Sequence, residues 1–315
     1  MLNVTDAEVK RMFTLPKAIE LAREAYLKLG RREALNPQRI LLTVPEGAAM
    51  FFMPAHIFGQ RTVSVKVARV NPRNPEQSLP TVILTIYVYD SQTGAEVAQI
   101  DADTLTAIRT AASTAVATDL LARENAEILG VFGSGREAEA HIAAIREVRN
   151  LSRVFAYSRT KTRRDAFAKN VSRKYGIQIV PAESPEEVVG KSDIIVTATT
   201  SQTPVFNSKR VKLGTHVNAI GAALPGYREI DTSLVQRSIL IVDSRQQALS
   251  TYGDVMIPIE EHAIEETHIR AELGELLVHD QVLEPSPRNI TLFKSGGLAI
   301  LDAMVADFIV SQAGS

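Results

Sequence analysis

The sequence has 315 residues, enough for two domains with sizeable cores, and balances 35 Lys and Arg against 36 Asp and Glu. That balance offers no field for nucleic acid or an anionic membrane, and with no Trp and no Cys there is no aromatic-rich platform, disulfide, thiolate nucleophile or cysteine metal site. No apolar run approaches the roughly 20 residues that span a bilayer, and the first residues lack the pattern of a signal peptide, so a soluble cytoplasmic protein is expected.

The spacing of Met12, Leu15, Ala18, Ile19, Ala22, Ala25, Tyr26 and Leu29 predicts one helix over 4–30, ended by Gly30. Apolar, β-branched runs at 39–44, 49–53, 62–68 and 81–89, bounded by Pro, Gly or Asn, predict strands. The segment 72–80 is a turn-rich loop, and residues 91–94 are expected to close a hairpin. A long helix over 102–122 follows, starting from Asp101 and Asp103. These residues read as an α+β domain.

From residue 126 the rhythm changes. Strands are expected at 128–132, 153–157, 178–180, 193–197, 216–220 and 238–242, with helices at 137–149, 161–175, 185–189 and near Ser233. Alternation of this kind predicts an α/β fold of the Rossmann type, a doubly wound parallel sheet with helices on both faces. Beyond Val255 the chain is expected to leave that sheet, with a helix over 259–277 and a short strand over 290–294. A last apolar helix over 298–310 is expected to fold back on the first domain. The expected division is 1–119 with 296–315 as a substrate-binding and dimerisation domain, and 120–295 as the dinucleotide-binding domain.

The first motif with chemistry is Gly133-Ser134-Gly135-Arg136-Glu137-Ala138, placed between an apolar strand and a helix. Gly133 permits the tight turn, Gly135 lets a pyrophosphate approach the backbone, and Ala138 lets the helix pack close to the strand. The helix dipole then favours phosphate. At the tip of the second strand, where an acid would select NAD, stand Ser158, Arg159 and Thr160, followed by Lys161, Arg163 and Arg164. Cations and hydroxyls there suit a 2′-phosphate, and cations at a helix start oppose its dipole unless an anion joins them. NADP(H) is therefore expected over NAD(H). The loops 197–201 and 220–226, with Thr199, Thr200 and Ala223, follow the fourth and fifth strands and are expected to complete the cofactor crevice.

With these residues in view the chain resembles, nearly end to end, the ornithine cyclodeaminase/mu-crystallin family. The marks are Gln38-Arg39, Phe52-Met-Pro-Ala55, Val65-Lys66-Val67, Asn71-Pro72, Leu79-Pro-Thr81, Arg109-Thr-Ala-Ala-Ser113, the glycine turn, Asn218-Ala-Ile-Gly221 and Phe293-Lys-Ser-Gly-Gly-Leu-Ala299. The resemblance implies an NAD(P)-dependent homodimer that pairs a Rossmann domain with a substrate domain. It implies that Arg39, Lys66 and Arg109 receive the carboxylate of an amino or imino acid, with Lys66 and Arg109 catalytic. It also implies that Thr81 contacts the cofactor and that Ser295 lies near the nicotinamide and substrate. Taken singly, Lys66 could be a solvent-facing strand lysine, Arg109 a helix-surface charge and Arg39 a loop charge.

Two departures narrow the chemistry. Cyclodeaminases carry an aspartate where Ala223 stands here, and a glutamate where Phe51 stands. Without them a second ammonium lacks its acceptors, and a buried ammonium without acceptors is costly. The expected activity is therefore NADPH-dependent reduction of a cyclic ketimine carboxylate, Δ1-pyrroline-2-carboxylate or Δ1-piperideine-2-carboxylate. An ornithine or lysine cyclodeaminase, or an alanine dehydrogenase-like enzyme, would need a replacement carboxylate such as Glu229, Asp231 or Asp302. A non-catalytic binder of NADPH and a small ligand is the rival of another class. His56, His141, His216, His262, His268 and His279 show no metal-ligand spacing, so surface or capping roles are expected for them. No metal, nucleic acid or membrane partner is expected.

Overall fold

The computed structural model describes residues 1–45, 47–279 and 286–313, so the last two residues of the expected 296–315 segment lie outside the described residues. The chain divides into two compact units, Met1–Arg109 with Gly297–Ser315, and Thr110–Gly296.

The first unit opens with β1 (Leu2–Val4), α1 (Asp6–Met12) and α2 (Leu15–Gly30). The single helix expected over 4–30 is thus a strand and two helices. Thr5 starts α1 with a capping box shared with Glu8. Phe13 and Thr14 are extended, and Pro16 lies in the first turn of α2, where its missing N–H costs nothing. Within an uninterrupted helix the same proline would remove a hydrogen bond and clash with the preceding turn. Strands β2 (Ala34–Leu35), β3 (Ile40–Thr43), β4 (Ala49–Ile57), β5 (Thr62–Val70), β6 (Val82–Asp90) and β7 (Glu96–Asp101) follow, then α3 (Asp103–Leu121), whose residues from Thr110 on are counted in the second unit. The sheet runs β1-β7-β6-β5-β4-β2, with β3 also on β4; β1 lies parallel to β7 and the other pairs are antiparallel. Strict alternation buries Met53, Ala55, Ser64, Lys66, Ala68, Ile86 and Val88 on one face.

The second unit contains β8 (Ile128–Phe132), α4 (Arg136–Val148), β9 (Arg153–Tyr157), α5 (Lys161–Tyr175), β10 (Ile179–Pro181), α6 (Pro185–Lys191), β11 (Ile194–Thr197) and β12 (His216–Ala219). It continues through α7 (Thr232–Gln236), β13 (Ser238–Val242), α8 (Arg245–Thr251), α9 (Gly253–Glu260), β14 (Ile269–Glu272), α10 (Leu273–His279) and β15 (Ile290–Lys294). The chain then returns to the first unit as α11 (Ala299–Ala313), which packs on α2, β4 and β5. The eight strands are all parallel in the order β10-β9-β8-β11-β12-β15-β13-β14. One apolar cluster joins Leu129, Val131 and Val196 to Ala138 and Ile142 of α4 and Phe167 of α5. A second joins Phe132, Ile195 and Val217 to residues of α6, α7 and α9. Helices therefore cover both faces.

The helix expected over 259–277 is corrected. His262 has φ +55° just after α9, and Ile269-Arg-Ala-Glu272 pairs with β13 as an edge strand. Only Ile269 and Ala271 are buried there, a period of two too short to stand out from a helical pattern. The sheet thus continues beyond Val255, and β15 enters it between β12 and β13. Helix α8 was not anticipated; the Ser244 hydroxyl caps it by accepting from the Gln247 N–H. His141 and His216 are also fully buried rather than at the surface. His216 bonds Thr291 and Asn218, and burial pushes it down to about 3, so it stays neutral. No helix among the described residues is long and apolar enough to cross a membrane, and none of their His, Asp and Glu groups forms a metal-binding cluster.

Candidate functional site

The turn between β8 and α4 is shaped by its glycines. Gly133 has φ +126°, and a side chain there would come within 2.7 Å of the Ala198 carbonyl oxygen, so conformation and space both demand glycine. Gly135 caps α4 in ordinary extended backbone. A β-carbon on it would touch nothing within 4 Å, which leaves room for a group to lie against the chain at the positive end of α4. Ala138 is fully buried.

Beside this turn is a cleft of about 500 Å³ at the carboxyl ends of β8, β9 and β11. The strand order reverses between β8 and β11, where doubly wound sheets bind nucleotides. Gly133, Ser134, Ser158, Arg159, Thr160, Arg163, Thr199 and Thr200 line it, and none of its described lining residues is acidic. Arg136 and Glu137 begin α4 next to it.

The cations near the tip of β9 fall into two groups. Lys161 pairs with Asp165 at 3.1 Å and Glu183 at 3.7 Å. Arg164 is buried over the Tyr157 ring, where it meets the Ser158 carbonyl and Glu183. Arg159 and Arg163 are exposed and line the cleft, with no ion pair to any described acid. The buried Ser158 hydroxyl has no hydrogen-bond partner among the described residues.

In the first unit, register places Lys66 between Met53 and Ile86 on the buried face of the sheet. Its ammonium lies 3.2 Å from both carboxylate oxygens of Asp302, and Arg109 Nε donates to the same carboxylate at 2.9 Å. Lys66, Arg109 and Asp302 are almost fully buried, so neither cation is a surface charge. Burial, then the Arg109 charge, push Lys66 down to about 8 against the opposing pull of Asp302, and the Arg39 charge pushes the same way. Arg39 Nη2 donates to the Gly297 carbonyl at 2.9 Å. Gly297 has φ +81°, and a side chain there would strike the Arg109 guanidinium at 2.6 Å. One glycine therefore serves both arginines.

The structure brings Arg39, Lys66 and Arg109 together and adds Asp302, a residue that the sequence reading held only as a possible replacement acid. A signal for it existed: Asp302 is the single charge in the apolar run 298–306, and a charge buried in such a helix needs partners. The other two replacement acids are engaged elsewhere. Asp231 caps α7 and accepts from Ser208, and Glu229 accepts three donors inside the second unit. Thr81 is exposed just before β6 in the first unit. Ser295 is buried in the second unit, donating to Asp243 at 2.7 Å. Ala223 is half-buried in the loop after β12, and Phe51 faces Leu41 and Ala68 across strand pairs. Asp243, Asp254 and Lys294, missed from sequence, form a buried group with Tyr252 in which Lys294 meets Asp254 at 2.9 Å and donates to the Ala222 carbonyl.

The model of the ornithine cyclodeaminase/mu-crystallin family matches residues 1–315. A Delta(1)-pyrroline-2-carboxylate reductase of Bacillus cereus is 33% identical over 315 residues, covering 99% of this chain and 97% of that protein. The structure of Thermococcus litoralis Delta(1)-pyrroline-2-carboxylate reductase in complex with NADH and L-proline superposes with a TM-score of 0.95 at 35% identity, covering 99% and 97% of the two chains. An archaeal alanine dehydrogenase dimer with bound NAD gives a TM-score of 0.93 at 30% identity, covering 99% and 96%.

Proposed function

The chain belongs to the ornithine cyclodeaminase/mu-crystallin family, and from that membership and the charges of its first unit we propose that it is an imine reductase. Its substrate is a cyclic ketimine carboxylate, Δ1-pyrroline-2-carboxylate or Δ1-piperideine-2-carboxylate, and its product L-proline or L-pipecolate. The observation that carries this reading is the buried Lys66, placed beside Arg109 and held by Asp302. Two relatives whose names or ligands concern pyrroline-2-carboxylate reduction support it.

Reduction of a cyclic imine needs a hydride at carbon and a proton at nitrogen. Arg39 and Arg109 supply forked donors that suit the substrate carboxylate. Lys66, lowered to about 8, is still mostly protonated at neutral pH and acidic enough to give its proton to the nitrogen. Asp302 keeps that ammonium oriented and limits the cost of burying it. The residues that would have received a second amine are Ala223 and Phe51, and Glu229, Asp231 and Asp302 are engaged, so a ring closed before it enters fits better than an open diamino acid.

The second unit's cleft fits a nicotinamide dinucleotide, which when bound supplies the hydride. The pyrophosphate belongs against Gly133, Ser134 and Gly135 and the start of α4, Arg136 and Glu137; Thr199, Thr200 and Ala223 belong to the nicotinamide half, together with Ser295 of the same unit. The NADH and NAD of the two similar structures are theirs. In this chain Arg159 and Arg163, without acidic partners among the described residues, favour NADP(H) with its 2′-phosphate beside Ser158, Arg159 and Thr160.

A homodimer is part of the same proposal, and the other face of the first sheet supports it. Phe52, Val65, Val67 and Tyr87 stand there side by side by register and are only half-buried, an apolar surface of the kind that a second copy covers. Light scattering on the purified protein checks this: a mass of twice 34.4 kDa is expected.

The activity is tested by following nicotinamide absorbance with NADPH and each ketimine acid, beside NADH and ornithine. Rapid NADPH oxidation with one ring is expected. Ammonia release from ornithine, with neither ketimine reduced, would overturn the reading in favour of a cyclodeaminase.

A further inference from the structure

Beneath the cleft of the second unit lies a carboxylate to which the nucleotide motif gives no task. Glu229 is fully buried in the segment before α7. Its Oε1 accepts the Thr199 backbone N–H at 2.7 Å, and its Oε2 accepts the Thr197 hydroxyl at 2.8 Å and the Gly221 backbone N–H at 2.7 Å. Thr197 and Thr199 belong to the end of β11 and the loop after it, which lines the cleft; Gly221 belongs to the loop after β12. One side chain therefore ties two strand-end loops together.

The loops meet too closely for the tie to be incidental. A β-carbon on Gly221 would fall 2.1 Å from the Thr199 carbonyl oxygen and 2.7 Å from Glu229 Oε1, so backbone lies on backbone with the carboxylate against them. Glu229 is itself held from behind. Asp254 accepts the backbone N–H groups of Glu229 and Ile230 at 2.7 and 2.9 Å, and the Glu229 carbonyl accepts the Val205 N–H at 2.9 Å. Thr203, Pro204 and Val205 form another wall of the cleft. Three segments of cleft wall or its support thus converge on one residue.

We propose that Glu229 is a positioning residue for the nicotinamide cofactor, fixing the loop after β11 against the loop after β12 so that the Thr199–Thr200 wall is preformed. This rests on the cleft being the cofactor site, as read above. It requires an acceptor-only group, because all three neighbours donate and two of them are backbone N–H groups that cannot reverse. A preformed wall spares binding the cost of ordering that loop, so the effect falls on cofactor affinity.

The test is Glu229→Gln, which sets an NH2 against those donors, measured by fluorescence titration of NADPH on the folded protein. The cofactor Kd is expected to rise about tenfold, the scale of one buried donor left unpaired, while the KM for the ketimine stays within about twofold of wild type. Thr197→Val removes a single donor, and a rise of about threefold is expected. A lowered Tm with unchanged cofactor Kd would overturn the proposal and leave Glu229 a purely structural acid. If Glu229→Gln does not fold, an unchanged Kd in folded Thr197→Val overturns it equally. Wild-type protein that binds no nicotinamide cofactor would overturn both this proposal and the cofactor reading. Binding without ketimine turnover would overturn only the substrate reading.

Discussion

Asp302 reaches Lys66 with both carboxylate oxygens at 3.2 Å, inside a helix segment that carries no other charge over residues 298–306. The same carboxylate takes Arg109 Nε at 2.9 Å. Removing the negative charge would leave two buried cations facing each other, so Asp302→Asn is expected to lower stability by about 3 kcal/mol. Chemical denaturation measures it. Ketimine turnover should fall at neutral pH as well, because Lys66 loses the partner that favours its charged form.

Lys66 also links stability and activity to pH in opposite directions. Its value is about 8 in the folded protein against an ordinary 10.5. Between these the unfolded chain binds the proton more tightly, so the stability contribution of this group rises as pH climbs from about 8 to 10.5 and is least favourable below 8. Proton donation needs the ammonium, so the rate of reduction is expected to fall across the same window. In Lys66→Met the rate limb near pH 8 should vanish and kcat/KM should drop about a thousandfold. A wild-type limb that persists in the variant would assign the titration to another group.

Cofactor choice rests on different residues. Arg159→Ala is expected to weaken NADPH about tenfold and to leave NADH within about twofold, since only the former has a 2′-phosphate for the guanidinium. Paired titrations with the two cofactors give the ratio. Equal weakening of both would place Arg159 on the pyrophosphate or adenosine instead.

The two glycines of the nucleotide turn should separate folding from binding. Gly133→Ala meets a positive φ and a backbone oxygen at 2.7 Å, so a loss of about 2 kcal/mol in stability is expected. Gly135→Val meets no protein atom within 4 Å of the added β-carbon. It should leave Tm within a few degrees of wild type while raising the cofactor Kd at least tenfold by occupying space reserved for the ligand. Thermal melts beside cofactor titrations check both.

Much of this architecture was legible because its signals are local. The strands at 128–132, 153–157, 238–242 and 290–294 stand where their apolar runs lie, since a buried parallel strand writes its whole length in one composition. Gly133 and Gly135 announced their turn for the same reason. Where pairing over distance decides, the sequence was silent. Strand β14 exists because β13 offers it an edge, and the break after Met12 required weighing one proline against a long helical pattern. Lys66, Arg109 and Arg39 were marked by resemblance. Their common dependence on Asp302 was not, because the lysine and its carboxylate are 236 residues apart and only folding joins them.

The most direct measurement is the amount of cyclic L-amino acid formed per NADPH consumed when Δ1-pyrroline-2-carboxylate or Δ1-piperideine-2-carboxylate is supplied to wild type and to Lys66→Met. One L-proline or L-pipecolate per NADPH is expected with the preferred ring, with turnover reduced about a thousandfold in the variant. NADPH consumed without the cyclic amino acid, or a variant that turns over at the wild-type rate, would contradict the reductase reading.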